Sequence, residues 1–107
     1  MTPRYTIHVS QDDTPVRGNA LASGDDANDR ECEDEILARL NDGDVWAWAC
    51  VEVRAHRGDF HASSYLGACS YANEADFRAD DYFGSMCMEA LELLDEKLRE
   101  ATRDQTK

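Results

Sequence analysis

"VWAWACVEVRAHRGDFHASSYLGACSY" (Val45–Tyr71) is the stretch whose reading decides the fold. Its first half alternates strictly. Val45, Ala47, Ala49, Val51, Val53 and Ala55 form one side, small and apolar, while Trp46, Trp48, Cys50, Glu52, Arg54 and His56 form the other. Period-two alternation of this kind marks a strand with one side buried. "RGD" (Arg57–Asp59) supplies a turn, and "FHASSYLGACSY" (Phe60–Tyr71) returns as a second strand, so the pair reads as a β-hairpin.

Upstream, "RYTIHVS" (Arg4–Ser10) alternates again, with Tyr5, Ile7 and Val9 opposite Thr6, His8 and Ser10. A loop of turn formers follows at about residues 11–25, long for a connection within a compact domain. From about Asp26 to Leu40 the period becomes helical, with Cys32, Ile36, Leu37 and Leu40 on one stripe and "NDGD" (Asn41–Asp44) as the stop. Downstream, "ANEADFRADD" is a polar connection with room for a short helical turn. Asp80 or Asp81 can cap a last helix over about Tyr82–Ala101. Phe83, Cys87, Ala90, Leu91, Leu94 and Leu98 make its apolar stripe, and a tail at residues 102–107 should fray. The order predicts a single α+β domain over residues 1–107. Its small antiparallel sheet of about three strands carries two helices packed on one face. The opposite sheet face would show Trp46, Trp48, Tyr65 and Tyr71, unless the long loop covers it.

Composition narrows the function classes. The chain carries 23 acidic and 11 basic residues for a formal charge of −12. Direct nucleic-acid binding relies on Lys and Arg neutralising phosphates, so this balance disfavours it, and an anionic membrane surface is disfavoured for the same reason. A basic protein or nucleoprotein complex is the partner that such a charge would steer toward. "MTPRYTIHVS" lacks the pattern of a secretory signal and no apolar run approaches a membrane span, so a cytoplasmic protein is expected.

Catalytic and metal signatures are weak. "SGDDANDRECEDE" (Ser23–Glu35) is more than half Asp and Glu, yet calcium-loop registers starting at Asp25 or Asp26 place Arg30 or Ala27 where a ligand or glycine is needed. Cys32, Cys50, Cys69 and Cys87 stand 18 or 19 residues apart, unlike the clustered spacing of zinc ligands. Core thiols account for them. No nucleophile elbow surrounds Cys69 or any serine, and "RGNALASGD" lacks the Lys and Ser/Thr of a phosphate loop. The expectation is therefore no metal, no cofactor and no catalytic centre, with a small Cys/His enzyme as the remoter alternative.

Asp25, Asp26 and Asp29 fall where carboxylates meet the positive end of a helix dipole. Glu31, Asp34 and Glu35 point away from the apolar stripe, and on the last helix Glu89, Glu92, Glu96 and Glu100 do the same. Like charges three or four residues apart repel by roughly 0.2–0.5 kcal/mol per pair. Such rows are either a solvated face or an array resembling DNA phosphates. On the second reading Glu31, Asp34, Glu35, Glu92 and Glu96 are the candidate phosphate substitutes, with Trp46, Trp48 and Tyr65 as apolar anchors. A homodimer formed through the aromatic sheet face is the alternative.

Three segments, "DDTPVRGNALASGDD" (Asp12–Asp26), "VWAWACVEV" (Val45–Val53) and "YLGACSY" (Tyr65–Tyr71), together resemble a group of small acidic proteins encoded in tailed-phage and prophage genomes. The resemblance covers most of the ordered chain and implies a setting: the cytoplasm of an infected bacterial host. Small acidic phage proteins of this size are similar to inhibitors of host defence, including anti-CRISPR proteins and restriction-blocking DNA mimics. The resemblance thus implies a partner such as a CRISPR effector, without assigning any residue a role.

Overall fold

A computed structural model describes residues 2–20 and 25–105, with backbone alone for 103–105. The elements are β1 (Arg4–Gln11), α1 (Asp26–Asn41), a 3-10 turn (Val45–Ala47), β2 (Ala49–Arg57), β3 (Phe60–Cys69), α2 (Glu74–Ala79) and α3 (Asp81–Gln105). The strands form one antiparallel sheet in the order β1-β2-β3, an α+β architecture. The backbone divides into two compact units. One comprises residues 1–8, 52–65 and 78–107, the other residues 9–51 and 66–77.

In the first unit, Gly58 takes φ +58° and lets β2 turn into β3. That conformation costs a residue with a Cβ roughly 1–2 kcal/mol. Ala55 on β2, packed with Tyr5 and Ala62, meets Ala90, Leu94 and Leu98 of α3 in one apolar cluster. Small residues at Ala55 and Ala90 let helix and sheet approach closely. Lys97 of α3 reaches the His61 carbonyl, and Arg57 pairs with Asp95. Asp80 caps α3 by accepting from the Tyr82 amide at 3.0 Å. The helix runs on to Gln105, past its expected end at Ala101; 106 and 107 lie outside the described residues.

In the second unit, Asp25 caps α1 by accepting from the amides of Ala27 and Asn28. Asp26 and Asp29 stand in the first turn, as the dipole argument expects. Gly43, at φ +87°, ends the helix by donating to the Leu40 carbonyl. The α1 stripe behaves as predicted: buried Ile36, with Cys32, Leu37 and Leu40 around it, packs with Val16, Ala47 and Trp48. Glu33 is a surprise. It is 7% exposed, and its carboxylate accepts from the Gly18 amide at 2.7 Å and from Arg17 at 3.0 Å. That contact ties the loop before α1 to the helix, and the loop's Val16 is buried in consequence. Residues 21–24, including Ser23 and Gly24 of the acidic stretch, lie outside the described residues.

Sequence periodicity fails at one place. Val45–Ala47 is a 3-10 turn and the strand begins only at Ala49. The cause is Asp44, whose carboxylate accepts from the Trp46 amide at 3.2 Å and is held from the other side by Arg39. A capping carboxylate offers the backbone an alternative to the sheet ladder, and here it wins. Arg39 also donates to the Tyr71 carbonyl at 2.6 Å, and the Tyr71 amide donates to the Trp46 carbonyl at 3.0 Å.

Replacing Glu33 by Ala removes its bonds to the Gly18 amide and Arg17 and should lower the urea unfolding midpoint clearly. Replacing its exposed neighbour Asp34, which pairs with the same arginine, should cost under about 0.5 kcal/mol. Equal costs would remove Glu33 from its structural role.

Candidate functional site

The candidate acids divide between the units. Glu31, Asp34 and Glu35 are exposed on α1, and Glu92 and Glu96 are exposed on α3. Asp34 is not a free charge, because Arg17 pairs with it as well as with Glu33. Glu35 does not gain the arginine four residues on, since Arg39 is turned to Asp44. Among the described residues, Glu31, Glu35, Glu89, Glu92 and Glu96 form no ion pair. Arg17, Arg39, Arg54 and Arg57, by contrast, are all engaged with carboxylates inside the fold.

α3 adds something the sequence stripe did not reveal. Tyr82, Met88 and Leu93 are 57%, 67% and 42% exposed. Helical spacing interleaves them with Glu89, Glu92 and Glu96, so the outer face of α3 alternates large apolar and acidic side chains. The signal was present at Met88 and Leu93, which the predicted stripe leaves out.

The open aromatic sheet face does not form, which moves Trp46, Trp48 and Tyr71; at Trp48 the covering loop that the sequence left as the alternative is present, through Thr14 and Val16. Trp48 is only 3% exposed, buried with Val16 and Ile36, and its indole N–H donates to the Thr14 carbonyl at 2.7 Å. Trp46 is half-buried and belongs with Tyr71 and Phe77 in a cluster whose centroids lie 5.2–6.4 Å apart. Tyr71 lies beyond the end of β3. The cause is again the turn capped by Asp44, which takes both tryptophans out of the strand. Tyr65 alone is open, at 66% exposure.

Where the aromatic row was expected, the first unit carries polar groups. Glu52 accepts from Arg54 Nε at 2.6 Å and Nη2 at 3.2 Å, from Ser63 at 2.6 Å and from Tyr65 at 3.4 Å. The Arg54 hydrogen bonds, aided by Ser63 and the nearby charges of Arg54 and His8, hold its carboxyl down at about 2 despite partial burial. The Thr6 hydroxyl lies 2.7 Å from His56 Nε2 and 3.0 Å from His8 Nε2.

Thiol chemistry finds little support. Cys69 Sγ donates to the Ala49 carbonyl at 3.3 Å, and burial pushes its thiol up to about 11, so the nucleophilic thiolate is scarce near neutrality. Cys87 is raised by burial as well. All four cysteines are free thiols. Among the described residues no group of three or more His, Cys, Asp or Glu is placed to hold a metal ion, and no helix is long and apolar enough to cross a membrane. Comparison with protein-family models, with curated proteins and with solved structures returned no match.

Two outcomes follow. Glu52 has a folded-state pKa depressed from 4.5 to about 2, so its contribution is full above 4.5 and drains away as pH falls toward 2. Urea melts across that window should slope downward with acid for the wild type. Glu52→Gln should be less stable at neutral pH and show a shallower slope, the remainder belonging to Asp12 and Glu33, whose carboxyls are also held down; an unchanged slope would refute the assignment. Separately, Cys69 should react with a thiol reagent more slowly than free cysteine at neutral pH, as followed by mass spectrometry.

Proposed function

We propose that the chain is a non-enzymatic binding protein whose acidic helix faces engage a basic, nucleic-acid-handling partner. The observation that carries this reading is the outer face of α3. Glu89, Glu92 and Glu96 form no ion pair among the described residues, and exposed Tyr82, Met88 and Leu93 stand among them. A face serving only hydration has no use for three large apolar side chains. Apolar anchors within a charged surround are the make-up of a protein–protein contact. The acidic surround selects a basic surface and speeds the encounter.

Glu31 and Glu35 on α1 extend the same chemistry to the second unit. Asp34 is a weaker candidate because Arg17 already partly neutralises it. Trp46 and Trp48 leave the set of anchors, and Tyr65 stays. The resemblance to small acidic tailed-phage proteins supplies the biological setting. In that setting the partner is a host defence complex, such as a CRISPR effector, whose nucleic-acid channel the acids block by standing in for phosphates.

The test is capture of partners from a nuclease-treated bacterial lysate with active defence systems, eluted by a salt gradient. The expected catch is a nucleic-acid-binding complex, released at moderate salt and displaced by duplex DNA. Glu92→Lys with Glu96→Lys should weaken capture about tenfold or more and flatten its salt dependence. Met88→Ala with Leu93→Ala should weaken it with the salt dependence intact. Capture indifferent to both pairs of substitutions would sink the reading.

A further inference from the structure

All three histidines of the chain lie on one side of the sheet. Tyr5, Ala55 and Ala62 face α3, so the alternating positions Arg4, Thr6 and His8 of β1, His56 of β2 and His61 of β3 face the other way. The His56 and His61 rings sit 5.8 Å apart, and His56 and His8 share the Thr6 hydroxyl at 2.7 and 3.0 Å. Glu52 is the carboxylate that the three strands place on this side, and its oxygens are already occupied by Arg54, Ser63 and Tyr65. Arg4 forms no ion pair among the described residues. In a chain with 23 acids, three histidines and an arginine gathered without a free counter-charge are out of keeping with their surroundings.

The shared hydroxyl has a specific consequence. With neutral imidazoles, Thr6 can donate its one proton to at most one ring, and the direction of each bond follows the tautomers. When both rings are protonated, each donates through Nε2 into a lone pair of the Thr6 oxygen, and the hydroxyl proton is freed to point outward. The two rings and the hydroxyl then all present donors, while the Glu52 carboxylate on the same side stays engaged with Arg54, Ser63 and Tyr65.

We propose that this side of the sheet is a binding site for a phosphate-type oxyanion, held by His8, His56, His61, the Thr6 hydroxyl and the Arg4 guanidinium. Three or more acceptor oxygens suit so many donors better than the two of a carboxylate. Burial holds the His56 pKa down, and the charges of Arg4, His61, Arg54 and His8 add to that effect. An anion relieves those same repulsions, so binding and protonation reinforce each other. The charged groups that act on His56 are Arg4 and His8 on β1, Arg54 on β2 and His61 on β3, with Glu52 and Tyr65 further along the same side of the sheet. Lys97 reaches the His61 carbonyl from α3. The site stands independently of the acidic helix faces.

Titration of the full chain with inorganic phosphate tests it, with chloride balancing ionic strength and the histidine ring NMR signals as readout. Saturable shifts at His8, His56 and His61 are expected, with binding tighter when His56 is protonated once the change in the phosphate's own charge is allowed for. Arg4→Gln and His61→Gln, both at exposed positions, should each weaken binding several-fold without lowering the unfolding midpoint. Phenyl phosphate tested in parallel separates a monoester site, which it fills, from one for the free anion alone. Shifts that fail to saturate, that chloride reproduces, or that survive unchanged in both variants would overturn the proposal.

Discussion

Like-charge repulsion is the constraint under which the rest of this fold is arranged. With roughly twice as many acids as bases, each arginine placed inside the structure is a scarce counter-charge. Arg17 joins the loop to α1, Arg39 joins the end of α1 to the turn before β2 and to Tyr71, Arg54 orders Glu52, and Arg57 meets α3. Arg17, Arg39 and Arg57 each secure a junction between elements, while Arg54 acts within β2, fixing the carboxylate that Ser63 and Tyr65 of β3 reach. Exposed ion pairs contribute little, so the stability gained is concentrated at the two least exposed of the paired carboxylates, Glu33 and Glu52. The helix surfaces are left with acids and few bases to answer them.

Much of this architecture is legible in the sequence because it rests on periodicity. The alternation of Ala49–Arg57 and Phe60–Cys69, the stripe around Ile36 and the stripe through Ala90, Leu94 and Leu98 are all where spacing puts them. What the spacing could not convey is competition between a side chain and the backbone ladder. "VWAW" alternates as well as any strand, but Asp44 and Arg39, five residues apart, fold it into a turn. Glu33 was hidden for a related reason. A carboxylate on a helix next to an apolar stripe reads as solvated until a loop amide and an arginine arrive from elsewhere in the chain.

The candidate surfaces show the same division. Exposure of Glu31, Glu35, Glu92 and Glu96 follows from helical phase and was readable, as was the polar side of β1 and β2. The company these residues keep was not. Leu93 and Met88 become informative only once α3 is seen to leave them uncovered. Likewise three histidines scattered over more than fifty positions become one cluster only through the order β1-β2-β3.

The partition of residue types between the two units gives the molecule its own spectroscopic reporters. Both tryptophans, Trp46 and Trp48, belong to the unit formed by residues 9–51 and 66–77, and all three histidines belong to the other. Indole emission therefore follows the melting of one unit alone, with Trp48 passing from a dry, hydrogen-bonded pocket to water. Imidazole resonances follow the other. A chain this short thus allows the cooperativity of its two halves to be measured without a label: coincident transitions would mark a single folding unit, and separated ones would mark two.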